Sequence, residues 1–221
     1  MKKSRYQARH FNVFYCCSKF RYGKWSRGAD DWSAPDKVGS YAKSKILAER
    51  AAWGLIKSQE GDDKMEMVVI NLGGVMGPTL TGTLTGTSVG MINDMIQGKM
   101  PMIPDIAVGM VDVRDVAKVH VKAISVKEAV RQRFILASTE AIPMMRLAQI
   151  LKSNGYEKVS TRKAPNFLLK FMALFSKDVK GMVSFLGRKV GSNNRSTKEI
   201  LDWNPTDIET SILDMAKSIS K

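Results

Sequence analysis

The chain has 221 residues, 44% of them hydrophobic and 25% charged, a composition that suits one full core, or a core with a small lobe, in a globular protein. No uninterrupted apolar run approaches the ~18 residues of a membrane span, and the basic start lacks an apolar h-region, so neither a transmembrane helix nor a secretory signal is expected. The formal net charge of +14 is unevenly spread: residues 1–28 carry eight Lys and Arg and no acidic residue. A phosphate-binding arm or an organelle-targeting peptide would share that composition, but neither is the preferred reading. The adjacent Cys16 and Cys17 have neither disulfide-framework nor metal-ligand spacing, so no metal is expected and a reducing cytoplasm is the default location.

In chain order, residues 41–57 place Ala42, Ile46, Trp53 and Ile56 at helical spacing, with charge on the other faces. The run EMVVINLGGVMGP reads as a short strand covered on both faces, ending in glycines and a proline. A Thr-Gly loop over 79–90 follows, then a Met-rich helix, SVGMINDMIQG. At GMVDVRDVAKVHVKAI a strand gives way to a helix, with Asp112 as N-cap and Asp115 three residues on in the manner of a capping box. RFILAS reads as a strand and PMMRLAQILKSNG as a helix ending at Asn154-Gly155. Two amphipathic helical stretches are expected within 165–186, and two short helices in the tail, broken at Asn204-Pro205. The outline is a parallel α/β unit followed by a smaller, mainly helical lobe.

The sharpest chemistry lies in YAKSKILAERAAW. Tyr41 and Lys45 stand four apart, hence on one helix face. A free phenol with a pKa of ~10 is a poor base at neutral pH, and a neighbouring ammonium favours the phenolate. Bringing it to ~7 would take about 4 kcal/mol of differential stabilisation. Such a pair also arises by chance in many chains. Other features have plainer readings. His120 shares a spacing with Val113, Val116, Ala117 and Ile124 and is expected as a packed or hydrogen-bonded core residue. Met91, Met95, Met100 and Met102 could wall an apolar substrate or simply pack. Phe167, Leu168, Lys170 and Phe171 are read as a core-facing helix rather than a membrane-surface one.

Three motifs in order, YAKSKILAERAAW, VVINLGGVMGP and VDVRDVAKVHVKAI, closely resemble the extended short-chain dehydrogenase/reductase family, within the epimerase/dehydratase superfamily. The nearest branch is similar to dihydroflavonol-reductase and aldehyde-reductase-like enzymes. The resemblance implies part of a Rossmann-type doubly wound parallel sheet plus a small helical substrate lobe. It divides the chain into an atypical basic segment (1–28), a partial Rossmann-like domain (29–130) and a substrate-binding lobe (131–221). It implies an oxidoreductase passing hydride between NADP(H), or NAD(H), and a small carbonyl or alcohol. Tyr41 would be the acid/base; Lys45 would lower its pKa and hydrogen-bond the nicotinamide ribose. Asn71, Gly73, Gly74 and Val75 would line the nicotinamide side. Partners in membrane or nucleic acid are not expected.

The chain departs from the family pattern at three points. Leu72 stands where the family has proline, giving up a fixed φ. The family's serine on the preceding strand has no counterpart beyond Ser18. No G-x-x-G-x-x-G precedes Tyr41, so the turn that grips a pyrophosphate is expected to be missing from these residues. A frameshifted reading of residues 2–18 would explain that segment's acid-free composition, because permissible codons read one nucleotide later spell a family-like strand ending in a serine pair. The expectation is a truncated, inactive reductase. The alternative is a non-enzymatic interaction remnant that self-associates through an exposed sheet edge, and behind it a nucleic-acid-binding protein using its basic arm.

Overall fold

The computed structural model describes residues 9–14, 26–62, 64–80, 82, 84–174, 183, 185–189 and 191–220. In chain order the strands and helices are β1 (Arg9–Phe14), β2 (Ser26–Arg27), α1 (Ser40–Lys57), β3 (Met67–Leu72), β4 (Gly74–Met76) and α2 (Thr87–Ile96). There follow β5 (Ala107–Val108), β6 (Met110–Asp112), α3 (Val113–Ser125), β7 (Arg133–Leu136), β8 (Ile142–Pro143) and α4 (Met144–Ser153). The last are α5 (Asn166–Met172), β9 (Gly191–Ser192), α6 (Arg195–Leu201) and α7 (Ile208–Ile219). Cys16, Cys17, Ser18 and the second amphipathic stretch expected beyond residue 174 lie outside the described residues. Among the described residues no helix is long and apolar enough to cross a membrane.

The main sheet is parallel, in the order β1-β3-β7. Its registers run from Arg9↔Met67 to Phe14↔Leu72 on one side of β3 and from Val69↔Arg133 to Leu72↔Leu136 on the other. All six residues of β3 are buried, which is why MVVINL carries no polar alternation. Successive side chains point to opposite faces. Met67 and Val69 meet Ile56, Ala52 and Trp53 of α1. Val68, Ile70 and Leu72 join Phe134 and Leu136 under Val119 and Ala123 of α3, Leu201 of α6 and Trp203. Fully burying each such side chain is worth about 1.5–3 kcal/mol.

A second core surrounds the parallel pair β4-β6, where α2, α4 and α7 bring Ile92, Met95, Leu147, Leu151, Ile212 and Met215 together. Met95 is fully buried there, and Met91 and Met100 pack against it, so these methionines fill the core. The helix α5 leaves Phe167 and Phe171 exposed, in contrast to the core-facing helix expected from its apolar spacing.

Buried charge fixes two helices. In α1 the apolar positions Ala42, Ile46 and Ile56 are buried together with Glu49, which is only 1% exposed. Its carboxylate accepts from Arg133 Nε at 2.6 Å and Nη2 at 3.3 Å, and from Trp53 Nε1 at 3.2 Å. In α3, Asp112 is the N-cap, accepting from the Arg114 N–H at 2.7 Å. Asp115 does not serve the expected capping box. Its oxygens accept from Trp203 Nε1 at 3.2 Å, Thr206 N–H at 2.7 Å and Thr206 Oγ1 at 2.8 Å, tying the tail to α3. The buried face of α3 is accordingly Asp115, Val119 and Ala123, while Val113, Val121 and Ile124 are exposed. His120 is half-buried, its Nδ1 2.7 Å from the Val116 carbonyl one turn back.

Two outcomes are expected. Asp115→Ala leaves three donors without their acceptor, the buried Trp203 Nε1 and the half-buried Thr206 N–H and Oγ1, and should lower stability by about 2–4 kcal/mol in urea unfolding. Burial alone would raise the Asp112 carboxyl, but hydrogen bonds from the Arg114 side chain, from Ser211 and from the Arg114 N–H outweigh it and hold the pKa below its ordinary value. A depressed folded pKa stabilises above the unfolded value and loses that contribution as the pH falls through the folded one. Stability should therefore drop below about pH 4, and Asp112→Asn should flatten that part of the acid limb in urea midpoints measured against pH.

Candidate functional site

Helix α1 begins at Gly39, whose carbonyl accepts from the Lys43 N–H at 2.9 Å. Its first turns carry the catalytic candidates. Tyr41 is 57% exposed and Lys45 half-buried, and the Lys45 ammonium lies over the phenol ring, 5.5 Å from its centroid. The two side chains therefore share one side of the helix, as their spacing requires. At that distance the ammonium makes a cation–π contact with the phenol ring.

The crossover β1-α1-β3 sets where this pair sits. Parallel strands joined through a helix force the helix to run back along the sheet. Ile56, near the end of α1, packs on Met67 and Val69 at the start of β3. Tyr41, at the other end of α1, is thereby carried toward the C-terminal end of the strands, where β3 runs into Gly73 and Gly74. Asn71 is buried, and strand alternation puts it on the same side of β3 as Val69, the side that α1 covers.

Gly73 and Gly74 have different physical reasons. The Gly73 N–H donates to the Leu136 carbonyl at 3.0 Å and the Gly74 N–H to the Gly109 carbonyl at 2.8 Å. A Cβ on Gly73 would fall 2.4 Å from the Gly109 carbonyl oxygen and 2.9 Å from the Ala137 Cβ. On Gly74 the nearest atom would be 3.7 Å away. Only the first position demands glycine, and it does so for close backbone packing. Val75 pairs with Val111 and is half-buried against the sheet core. Leu72, where the family pattern has proline, is buried on the α3 side.

Nothing in the local sequence pattern singled out Glu49 and Arg133 as partners. The available signal was a carboxylate falling seven residues after Ala42, on a stripe that is otherwise apolar. Arg133 also donates from Nη1 to the Ala29 carbonyl and stacks over Trp32, 4.1 Å from the ring centroid.

No family model matches the chain. It is 30% identical over 123 residues to the NADPH-dependent methylglyoxal reductase of Saccharomyces cerevisiae, an alignment covering 53% of this chain and 36% of that protein. To a cinnamoyl-CoA reductase of Medicago truncatula it is 40% identical over 83 residues, 38% of this chain and 24% of that one. The solved structure of a Candida albicans reductase in complex with NADPH superposes with a TM-score of 0.63 at 26% identity, covering 87% of this chain and 56% of its own. The parallel sheet and its helices define the class, an α/β protein of Rossmann type. In sequence and fold together, the chain is similar to NADPH-dependent reductases of the extended short-chain dehydrogenase/reductase type. It matches about a third of the length of the first curated relative and about half of the solved chain.

The glycine pair offers a direct check. Gly73→Ala should lower stability by about 1–3 kcal/mol through forced displacement of the Gly109 peptide, whereas Gly74→Ala should be close to neutral, both read from urea unfolding.

Proposed function

We propose that these residues form the catalytic part of an NADP(H)-dependent carbonyl reductase. The observation that carries this reading is the Lys45 ammonium held over the Tyr41 phenol on one face of α1, at the end where β3 runs into Gly73 and Gly74. Tyr41 gives its proton to the carbonyl oxygen as negative charge develops there. Lys45 stabilises the phenolate that remains and supplies an ammonium donor for a ribose hydroxyl. Asn71, Gly73, Gly74 and Val75 form the strand-end wall against which a nicotinamide would rest. NADPH, when bound, supplies the hydride.

The donor set fits the nicotinamide end of such a cofactor: a phenol, an ammonium and a carboxamide on one side of the sheet, with Tyr41 exposed enough to be reached. For the pyrophosphate end, these 221 positions hold no G-x-x-G-x-x-G, the turn that would grip it. The 221-residue chain by itself is therefore proposed to bind NADPH poorly and to turn over no carbonyl. The substrate class is a small aldehyde or ketone, in keeping with the reductases it resembles.

The test has two arms. NADPH titrated into the 221-residue chain should leave nicotinamide fluorescence nearly unchanged, with no turnover of an aldehyde panel. Residues 28–221 fused behind the cofactor-binding half of the yeast methylglyoxal reductase should reduce methylglyoxal with NADPH, and Tyr41→Phe in that fusion should cut kcat by about 10²–10⁴. Turnover by the 221-residue chain would overturn the proposed inactivity. A fusion that binds NADPH yet reduces no aldehyde would overturn the reductase reading.

A further inference from the structure

A cavity of about 960 Å³ lies at the opposite end of α1 from Tyr41. Its walls are the C-terminal half of α1, the loop that leads to β3, the start of β7 and the segment Ala29–Trp32. Tyr41, Lys45, Asn71, Gly73 and Gly74 are not among its lining residues. Tyr41 and Trp53 are separated by twelve residues of helix, about 18 Å along the axis.

The charge around this cavity is unbalanced. Arg50, Lys57, Lys64 and Arg131 line it, and none makes an ion pair with a described carboxylate. The buried acid beneath, Glu49, is already neutralised by Arg133 at 2.6 Å. Among the described residues, Asp30 is the one acid in the lining. Four cations among the described residues thus face one carboxylate around a concavity large enough for a drug-sized ligand.

Two indoles add a second element. Trp53 lines the wall, and its Nε1 donates to Glu49 Oε1 at 3.2 Å, which fixes the ring's orientation. Trp32 is held against Arg133 at 4.1 Å and Arg50 at 5.4 Å from its ring centroid. A rigid aromatic wall ringed by cations that pair with no described carboxylate suits a planar ring carrying phosphates: the indole stacks on the ring, and the guanidinium and ammonium groups pair with the phosphate oxygens. We propose that this cavity is a nucleotide-binding site, seating the base against Trp53 and the phosphates among Arg50, Lys57, Lys64 and Arg131. The site is separate from the Tyr41 end and does not depend on the reductase reading.

Isothermal titration of the full chain with ATP, and in parallel with tripolyphosphate, tests this. Saturable binding of one ATP per chain is expected, with tripolyphosphate weaker because it lacks the ring. Lys57→Glu and Arg131→Glu, both exposed and remote from the cores, should each weaken ATP by about tenfold. Trp53→Ala should bring ATP down to the level of tripolyphosphate. Lys45→Met should bind ATP as the unaltered chain does. Circular dichroism confirms that each variant is folded. Absence of saturable ATP binding, equal affinity for tripolyphosphate, or affinity unchanged in both charge reversals would overturn the proposal. Loss of ATP binding in Lys45→Met would overturn it as well, by placing the nucleotide at the Tyr41 end.

Discussion

Burial of β3 on both faces is the constraint from which the rest of the structure follows. With all six of its residues buried, every side chain must find a cover, and alternation divides that demand between two layers. Met67 and Val69 fix where the end of α1 lies, and Val68, Ile70 and Leu72 fix α3 and α6. Because α1 is clamped at its C-terminal end, the position of Tyr41 and Lys45 at the other end is a consequence of helix length and direction. The strand then leaves the sheet at Gly73, against the Gly109 peptide, with no space for a side chain. The catalytic candidates and the strand-end loop are thus placed by packing several residues away from either.

The Glu49–Arg133 pair joins α1 to β7. A carboxylate at 1% exposure is tolerable only because a guanidinium and an indole N–H take up its lone pairs. Removing either member would strand a charge in the core. The pair also orders its surroundings: Arg133 holds the Ala29 carbonyl and stacks on Trp32, and Glu49 orients Trp53. One buried ion pair therefore supports the inner wall of the cavity at that end of α1.

How much of this was legible in the sequence depends on how far apart the partners are. The helix from residue 40 to 57 follows from the spacing of Ala42, Ile46 and Ile56, and β3 from an unbroken apolar run. Tyr41 and Lys45 share a face because four residues make about one turn. Asp112 as N-cap was readable too, since a cap acts on its own helix. Glu49 and Asp115 were not. The first is satisfied by a residue 84 positions on and the second by residues 88 and 91 positions on. For α3 the spacing of Val113, Val116, Ala117 and Ile124 pointed to one face, but Val113 and Ile124 are exposed and the structure buries another face, centred on a carboxylate that the tail completes.

The same distinction governs charge. A count of +14 and a basic first segment are visible in composition, yet they say nothing about which cations lack partners. Arg133 is neutralised inside the core, whereas Arg50 and Arg131 line the cavity and make no ion pair with a described carboxylate. Arg131 and Arg133 are two residues apart and chemically identical. What separates them is that one faces Glu49 and the other follows the turn into β7, its N–H held by the Met67 carbonyl at 2.8 Å. Electrostatic function in this chain is decided by which acids the core has already used, and that is set by the same strand, β3, that places the phenol and the ammonium at the other end of the helix.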